Sequence, residues 1–173
     1  MRELDLGCGP HKITNAISVD INRKAHPDII YNLNNIPYPF KDNSFDNICM
    51  RHVLEHLNEP EKVLYEVLRI AKNKTKLYIE VPHFSVYASY IFGHKKAYSC
   101  QAFKLFCEKN PNFKLKEIKL RWMRDVDSTN FFRHITNSVL SFFANLNYHF
   151  CERIWCYWVG GFGEIRVWIE IKK

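Results

Sequence analysis

The sequence predicts an α/β fold: a mostly parallel β-sheet with helices on both faces and an antiparallel pair of strands at its C-terminal end. Three observations support this prediction. Short apolar segments alternate with helical or turn segments through the first half of the chain. An apolar strand at the N-terminus runs into two glycines one residue apart. A Gly-rich turn over 160–163 precedes a strand in which apolar and polar residues alternate. This combination is typical of a Rossmann-like sheet.

Five strands are predicted in the first half of the chain. They cover Leu4 to Gly7, Ala16 to Asp20, Ile29 to Asn32, Phe45 to Met50 and Lys76 to Val81. An unusually short crossover joins the first two. A helix that is capped by Asn58, with Pro60 at an early position, runs to about Lys72 and joins the last two. Parallel strands joined in this way place a ligand at their carboxyl ends.

The second half of the chain is rich in aromatic residues. We expect a helix near Cys100 to Lys109, a strand over 113–122 and a closing strand over 165–172. Apolar residues at steps of three and four from Phe132 to Phe150 predict an amphipathic helix. We expect this helix to form part of the core or a lid. The alternative is peripheral contact with a membrane, for which the aromatic residues just beyond it are suited: Trp155, Tyr157 and Trp158.

Size and charge limit the classes of function. With 173 residues, 47% of them apolar and 25% charged, the chain has the size of one globular domain, so we expect a single domain over 1–173. Lys and Arg outnumber Asp and Glu by 25 to 18, which gives a net charge of +7. This charge favours acidic partners, such as nucleic acid, phosphorylated sugars or an anionic membrane surface.

The cysteines and the apolar segments predict a cytoplasmic protein. The six cysteines show no Cys-x-x-Cys pair and no zinc-type spacing with histidine, which favours reduced thiols and no bound metal. Met1 leads almost directly into the first strand without a signal peptide. No apolar run approaches the ~20 residues of a transmembrane helix. The oligomeric state stays open.

The turn after the first strand predicts an adenosyl-binding site. Gly7 and Gly9 let the backbone approach a ligand that any Cβ would push away, and Asp20 can accept both ribose hydroxyls. A dinucleotide site has a third glycine where this chain has Lys12. A ligand without a pyrophosphate is therefore favoured: S-adenosylmethionine, whose ammonium and sulfonium groups suit Asp5. The alternative is a tight turn with no ligand.

Four segments in this order resemble the class I S-adenosylmethionine-dependent methyltransferases, within the group called methyltransferase type 11. They are Leu-Asp-Leu-Gly-Cys-Gly-Pro at 4–10, Val-Asp-Ile at 19–21, Ile-Pro-Tyr-Pro-Phe-Lys-Asp-Asn-Ser-Phe-Asp at 36–46 and His-Val-Leu-Glu-His-Leu at 52–57. A narrower likeness resembles a subgroup found among cell-surface polysaccharide biosynthesis enzymes. It rests on Val-Pro-His-Phe-Ser at 81–85, Gly-His-Lys-Lys-Ala-Tyr-Ser at 93–99, Glu-Arg at 152–153 and Gly-Glu-Ile-Arg at 163–166.

The resemblance implies a cofactor-binding half over 1–85 and, over 86–173, acceptor-side or lid elements with the closing strands. The implied cofactor contacts are Asp5, Gly7, Cys8 and Gly9 around the methionine and sugar, Asp20 on the ribose, Ile21 and Leu33 beside adenine, Asn32 at the adenine amino group, and Arg51 and His52 at the methionine portion. The chain departs from the family at Asn32, where an acid is usual, because a neutral amide binds an amino group less strongly than a carboxylate does.

Histidines are the candidate general bases for a hydroxyl acceptor, because imidazole titrates near neutral pH. We expect His83 and His94 to be catalytic, since their loops follow the fifth strand, beside the transferable methyl group. A turn hydrogen bond is the alternative for His83, and binding of an anionic group is the alternative for His94. His52 and His56 have the i, i+4 spacing that suits a metal, but the sequence offers no third ligand, and capping or packing is the favoured interpretation.

The leading hypothesis is in-line methyl transfer to a small molecule or saccharide, releasing S-adenosylhomocysteine. The basic segments Lys95-Lys96, Lys114-Lys116-Lys119 and Arg121-Arg124 would suit a phosphate-bearing acceptor, although such segments are more often a solvated face. RNA methylation is an alternative that the charge suggests. A binding protein that has lost catalysis is another, suggested by Asn32 and the short crossover.

Overall fold

The structure is a computed structural model that describes residues 1–123 and 131–173; Arg124, in one of the basic segments, lies outside them. Seven strands form its framework: β1 (Glu3–Leu6), β2 (Ile17–Asp20), β3 (Ile29–Ile30), β4 (Phe45–Arg51), β5 (Ala71–Pro82), β6 (Phe113–Arg121) and β7 (Glu164–Ile171). The three longer helices are α1 (Pro60–Ile70), α2 (Cys100–Lys109) and α3 (Phe131–Leu146). Short helical segments follow α3 at Tyr148–Phe150, Cys151–Trp155 and Cys156–Trp158.

All seven strands belong to one sheet, in the order β3-β2-β1-β4-β5-β7-β6. The strands from β3 to β5 pair in parallel. β7 runs antiparallel to β5 and to β6, so the C-terminal pair of strands completes the sheet at one edge. The predicted fold class, a mostly parallel Rossmann-like sheet with a C-terminal antiparallel pair, is confirmed.

The connection from β1 to β2 contains no helix, as its shortness suggests. Side chains organise it instead, because its backbone groups still need hydrogen-bond partners. Asp5 accepts the N–H of Ile13 at 3.0 Å, and Arg51 donates to the carbonyl of His11 at 2.6 Å. Both of these side chains come from the sheet. The turn therefore takes its shape from β1 and from the end of β4.

Several boundaries differ from the sequence-based expectation, and two of the differences have a structural cause. α1 is preceded by Glu59 rather than by Asn58, whose N–H instead donates to the Asn34 side chain at 2.8 Å. β5 begins at Ala71, directly after α1, and is longer than predicted. Its early part is held by Thr75, whose hydroxyl donates to the carbonyl of Phe45 at 2.6 Å. A tertiary hydrogen bond of this kind leaves no local sequence signal.

The orientation of α3 is the main surprise of the fold. Its polar side chains face the protein: Asn145 accepts the N–H of Leu120 and donates to the carbonyl of the same residue, both at 2.8 Å, and Ser141 accepts the N–H of Trp122 at 3.1 Å. β6 is an edge strand whose backbone groups need partners, and apolar side chains cannot supply them. The aromatic side of α3 therefore faces outward: the core alternative of the expectation is wrong, and the lid alternative stays a prediction.

The buried interior is mainly apolar and continuous across the sheet, although it also contains buried polar residues such as Asp5 and His83. Its largest fully buried side chains include Phe45, Phe113 and Phe162. All six cysteines are buried and none forms a disulfide, as expected. Among the described residues, no helix is both long and apolar enough to cross a membrane.

Candidate active site

A cavity of about 610 Å³ opens at the carboxyl ends of the parallel strands. Its volume lies in the usual range for small-molecule sites. Nine of the ten residues predicted to contact the cofactor line it: Gly7, Cys8, Gly9, Asp20, Ile21, Asn32, Leu33, Arg51 and His52. The sequence thus identified most of one wall of this cavity. The opposite wall comes from β5 and β7.

The two glycines of the turn have different physical roles. Both have positive φ angles, +69° at Gly7 and +55° at Gly9. A Cβ added to Gly7 would lie 2.2 Å from Cγ2 of Val53, so Gly7 allows the close approach of that side chain. A Cβ added to Gly9 would meet nothing within 4 Å. Because Gly9 lines the cavity, its missing side chain leaves room there for a ligand.

Asp20 stands at the end of β2, beside this turn. One carboxylate oxygen accepts the N–H of Gly9 at 2.9 Å, and the other accepts the N–H of Asn22 at 2.7 Å. A carboxylate has about four lone-pair positions, so each oxygen can still accept another hydrogen bond. The two backbone donors hold Asp20 in one orientation at the cavity wall, as a clamp for two hydroxyl groups requires.

Asp5 is the predicted cofactor residue that does not line the cavity. It is fully buried, and it accepts hydrogen bonds from Ile13 and, at 3.1 Å, from the guanidinium of Arg51. It is not among the residues that line the cavity. Arg51 itself lines the cavity, so Asp5 acts on the site by positioning Arg51 and the turn.

The end of the cavity at which adenine was expected combines apolar and amide side chains. Ile21 is 63% exposed, and Leu33 is buried beside it in the cavity wall. The side-chain oxygen of Asn32 accepts two hydrogen bonds from Asn34, from the backbone N–H at 3.0 Å and from the side-chain amide at 3.2 Å. These bonds use both of its lone pairs. An adenine amino group would therefore have to replace the side-chain amide of Asn34.

At the opposite end, His52 lies within a network of charged side chains. Its Nε2 lies 3.1 Å from a Glu80 oxygen, and its own backbone takes the left-handed conformation, with φ +54°. Glu80 also accepts from the hydroxyl of Tyr78, and Arg166 lies 3.4 Å away. Burial alone would raise the pKa of Glu80, but the hydrogen bonds from His52 and Tyr78 and the charge of Arg166 outweigh it and lower the pKa.

Sequence analysis did not single out Glu80, Glu164 and Arg166 as lining residues. Arg166 donates to Glu164 at 2.6 and 2.7 Å, and the Glu164 side chain is fully buried. The sequence did contain one indication of Glu164 and Arg166: they belong to the Gly-Glu-Ile-Arg segment, which is part of the narrower resemblance. Its place beside β5 depends on the antiparallel pairing of β7.

His94 lies next to the cavity wall rather than in it. Its ring contacts that of His56, which does line the cavity, with 4.6 Å between the ring centroids. Burial lowers the pKa of His94, and the charge of Glu55 acts in the opposite direction. A neutral imidazole is the form that accepts a proton or binds a metal.

His83 does not face the cavity, contrary to expectation. Its side chain is fully buried, Nδ1 lies 2.7 Å from the hydroxyl of Ser85, and Nε2 lies 3.2 Å from a Glu152 oxygen. The chain passes the end of β5 and turns back through an isolated bridge to Tyr98, which carries His83 into the interior. With both ring nitrogens engaged, His83 ties the 83–85 turn to the segment that follows α3.

The basic strand β6 is a solvated face, the more common outcome for such segments. Lys116 lies 3.0 Å from Glu170, and Lys119 lies 2.7 Å from Glu117. Neither lysine lines the cavity. Among the described basic residues on this side of the sheet, Arg166 lines the cavity.

The residues present fit S-adenosylmethionine. The open space at Gly9 and the fixed carboxylate of Asp20 suit a ribose, and Ile21 and Leu33 supply an apolar surface for a base. At the other end, Glu80, Arg51 and Arg166 supply polar groups of both charges, which suits the ammonium and the carboxylate of a methionine portion. The apolar, hydroxyl-accepting and charged parts of the cavity thus lie in the same order as the base, the ribose and the methionine portion of the ligand.

Comparison with known proteins agrees with this geometry. Residues 4–79 match the model of a methyltransferase domain family. An uncharacterized protein of Methanocaldococcus jannaschii is 40% identical over 91 residues, which cover 45% of this chain and 39% of that protein. A demethylmenaquinone methyltransferase of Renibacterium salmoninarum is 33% identical over 79 residues, which cover 41% of this chain and 33% of that enzyme. The match thus spans well under two thirds of either relative.

Solved structures share the fold over nearly the whole chain. A S-adenosylmethionine-dependent methyltransferase from Archaeoglobus fulgidus has a TM-score of 0.59 and 19% identity, and the match covers 98% of this chain and 85% of that one. At this identity the likeness establishes the fold alone. Residues 4–79, a little under half of the chain, thus match a methyltransferase domain family, and the chain shares its fold with a solved S-adenosylmethionine-dependent methyltransferase.

Proposed function

We propose that this protein transfers a methyl group from S-adenosylmethionine to a small-molecule or saccharide acceptor. One observation carries the proposal: a single cavity holds the Gly9–Asp20 pair at one end and the polar network around His52 at the other. Such a cavity can bind an adenosyl group and direct the attached methionine toward β5 and β7. The methyltransferase match over the same half of the chain supports this interpretation.

The cofactor contacts follow from the cavity wall. Asp20 accepts the ribose hydroxyls, Ile21 and Leu33 pack against adenine, and Gly9 leaves room for the sugar. When bound, the cofactor supplies an electrophilic methyl group: the acceptor oxygen forms the new bond to carbon as the carbon–sulfur bond breaks, and its electron pair returns to sulfur. The protein's main contribution is alignment, since the sulfonium already activates the methyl group.

The acceptor end of the cavity lies beside the histidines. We assign the acceptor proton to the group formed by His52, His56 and His94, of which His52 and His56 line the cavity. His94 keeps its proposed role through its ring contact with His56. His83 is not part of this assignment, because its buried ring contacts Ser85 and Glu152 instead.

A phosphate-bearing saccharide is the acceptor class that we favour. Lys95 and Lys96 are exposed and directly follow His94, so they can attract an anionic acceptor to this end of the cavity. The sequence likeness to enzymes of cell-surface polysaccharide biosynthesis supports the same class. The segment over 93–99, which follows β5, contributes to both arguments: it contains the two lysines and is one of the segments that carry the likeness.

Two measurements test the proposal. Calorimetry with S-adenosylhomocysteine tests the cofactor site, and we expect binding in the micromolar range. Transfer of labelled methyl groups is then compared between nucleotide-linked sugars and the same sugars without phosphate, and we expect transfer to the phosphate-bearing set. Absence of cofactor binding would overturn the function as a whole. Cofactor binding with transfer to RNA alone would overturn the acceptor class.

A further inference from the structure

We propose that Glu55, His56 and His94 form a binding site for one divalent transition-metal ion, of which zinc is the reference, in the wall of the cavity. One ligand atom from each residue lies within 4.8 Å of the other two. Glu55 and His56 come from the short helical turn Leu54–His56 that follows β4, and His94 comes from the loop after β5. His94 is the third ligand that the spacing of His52 and His56 alone did not provide.

The Glu55 carboxylate is the first reason for the proposal. Glu55 is only 1% exposed, and over residues 1–123 and 131–173 its Oε2 has no hydrogen-bond partner. Its Oε1 lies 3.3 Å from Nδ1 of His52, an ion pair only when that imidazole is protonated. A buried carboxylate without donors is costly unless a cation or hydrogen bonds compensate it. A metal ion bound at Oε2 supplies that compensation.

The two imidazoles are arranged as ligands. Nδ1 of His56 lies 3.1 Å from the carbonyl of Gly93, and a carbonyl can only accept, so this nitrogen carries the proton. Nε2 of His56 is therefore left with its lone pair, the usual outcome when a backbone carbonyl orients a ligating histidine. Nδ1 of His94 is buried and has no hydrogen-bond partner within the described part of the chain.

The backbone keeps the three residues together. The N–H of Lys95 donates to the carbonyl of Glu55 at 2.6 Å, so the loop that carries His94 is attached to the turn that carries the other two ligands. Ligand atoms around tetrahedral zinc lie about 3.3 Å apart, given bond lengths of about 2.0–2.1 Å. The side chains must therefore rotate to bring their ligand atoms from within 4.8 Å to this shorter separation. Two imidazoles and one carboxylate with a fourth position open are the ligand set of several catalytic zinc sites.

A second cluster nearby does not support the same inference. His52, Glu80 and Glu164 also bring potential ligand atoms within 4.8 Å of one another. Their carboxylates are already engaged, by Tyr78 at Glu80 and by Arg166 at Glu164. A cation there would compete with a guanidinium that is already in place. Among the residues that the structure describes, no lysine or arginine forms an ion pair with Glu55.

The position of the ion suggests its role, a consequence that rests on the proposed function. His56 lines the cavity, so the open position of the metal faces the acceptor. A metal ion that holds an acceptor hydroxyl lowers the pKa of that hydroxyl, and the proton leaves to solvent. His56 and His94 are then ligands, and with the metal bound this route replaces the transfer of the acceptor proton to the histidine group.

Metal binding is tested without the cofactor. Protein freed of metal by a chelator, with any affinity tag removed, is titrated with ZnCl₂ by calorimetry, and Co²⁺ is used to record visible absorption. We expect one ion per chain for the wild type, and at least tenfold weaker binding for Glu55→Gln and for His94→Asn. His26→Asn is the matched control, because His26 is exposed, lies outside the cluster and has a positive φ that asparagine tolerates.

The outcomes separate this proposal from the proposed function. No binding by the wild type, or unchanged binding by both ligand variants, would overturn the metal site. Glu55→Gln also guards against a folding artefact: without metal it should melt at or above the wild-type temperature, because it removes a buried charge. S-adenosylhomocysteine binding, measured on the same metal-free protein, reports on the cofactor site alone.

A second inference rests on a different observation, the outward apolar side of α3 and the segments after it. We infer that this surface binds a membrane containing anionic lipids. We call it the aromatic face; its exposed residues are Phe132, Ile135, Val139, Phe142, Phe143, Leu146, Phe150, Ile154, Tyr157 and Trp158. Within α3 these residues recur at steps of mostly three and four, so they form one stripe on that helix, and four more exposed apolar residues follow in the short segments after Asn147.

The charges beside the aromatic face indicate that its partner is an anionic membrane. Between 131 and 158, the single acidic residue is Glu152, which is buried and bonded to His83. The exposed ionisable residues along the face are basic: Arg133, His134, His149 and Arg153. Apolar and aromatic side chains on one side of a helix, flanked by arginines and, over 131–158, without exposed carboxylates, are the pattern of helices that lie in the membrane interface. The net charge of +7 acts in the same direction.

Vesicle flotation tests the surface. Neutral phosphatidylcholine vesicles are compared with vesicles that also contain phosphatidylglycerol, and we expect binding to the anionic vesicles alone. Leu146→Glu should reduce it at least tenfold. Leu105→Glu is the matched control, an exposed leucine on α2 outside the aromatic face. Absence of vesicle binding, or a stable dimer that Leu146→Glu dissociates in place of vesicle binding, would overturn the inference.

Discussion

The carboxylate of Asp20 accepts the backbone N–H of Gly9 at 2.9 Å, which fixes the end of β2 against the turn that follows β1. This single contact relates the two sequence features from which the cofactor site was predicted. It gives the carboxylate a defined orientation before any ligand binds. Preorganisation of this kind reduces the entropy that binding has to overcome.

Asp20→Ala should weaken S-adenosylhomocysteine binding by more than tenfold, or ~1.4 kcal/mol, because it removes two charge-assisted hydrogen bonds to the ribose. Asp20→Asn should weaken it less, since an amide keeps one acceptor. Calorimetry measures both. Asp42→Ala is the control, because Asp42 is an exposed aspartate that pairs with Arg69 outside the cavity. Unchanged affinity in Asp20→Ala would remove this residue from the site.

The two glycines should respond differently to alanine. Gly7→Ala must push against Val53 in a left-handed conformation, so we expect a loss of roughly 2–5 kcal/mol in the free energy of unfolding, combining ~1–2 for the conformation with ~1–3 for overpacking. Gly9→Ala meets no neighbour and should lose about 1–2 kcal/mol. Its methyl group enters the cavity, however, and should reduce cofactor affinity.

Urea denaturation and calorimetry on the same two variants separate these effects. We expect Gly7→Ala to lose more free energy of unfolding than Gly9→Ala. We expect Gly9→Ala to lose more cofactor affinity than its smaller loss of stability would suggest. Equal stability losses would mean that Val53 moves aside without cost. Unchanged affinity in Gly9→Ala would mean that the ligand does not approach this turn.

The sequence predicted the sheet and one wall of the cavity well because those features are local. The strand, the glycines and the following acid lie within 20 residues, and β-strand alternation revealed β7. Long-range features had no such signal. Glu80 and Arg166 meet only because β7 pairs with β5, and His94 reaches Glu55 only through a loop whose backbone bonds back to the turn after β4.

The two errors have a common cause. The helical period of α3 was correct, but its direction depended on which side chains could bond to the edge strand β6, and periodicity does not record that. His83 follows a strand end, where ligands usually bind, but the 83–85 turn carries its ring inward to Glu152. In both cases, the need of buried polar groups for hydrogen-bond partners determined how α3 and the His83 ring are oriented. The pattern of apolar residues had predicted the opposite orientation.

Cofactor binding should protect Cys8 from alkylation. Cys8 lines the cavity, and burial, with the charges of Asp20 and Asp5, raises its pKa, so reaction with iodoacetamide is slow even without ligand. A bound cofactor covers the thiol and should slow the reaction at least another tenfold. Mass spectrometry follows each cysteine separately. The five other cysteines are the internal control, because they are buried outside the cavity and should be unaffected.

The buried pair of His83 and Glu152 should make stability depend on pH. Burial alone would raise the pKa of Glu152, but the hydrogen bonds from His83 and from the N–H of Cys100 outweigh it and lower the pKa. A carboxyl whose pKa is lower in the folded state stabilises the fold above its unfolded pKa of about 4.3. That contribution is lost as the pH falls through the lower, folded-state pKa.

Glu152→Gln keeps an acceptor for Cys100 but removes the charge. We expect it to lower the free energy of unfolding by ~1–3 kcal/mol at pH 7, and the difference from wild type to shrink below about pH 4. Urea denaturation between pH 3 and pH 7, the range that brackets this titration, measures the difference. Glu108→Gln, an exposed change on α2, is the control and should stay near wild type throughout. A difference that is independent of pH would mean that Glu152 is already protonated in the folded protein, and that its role is hydrogen bonding alone.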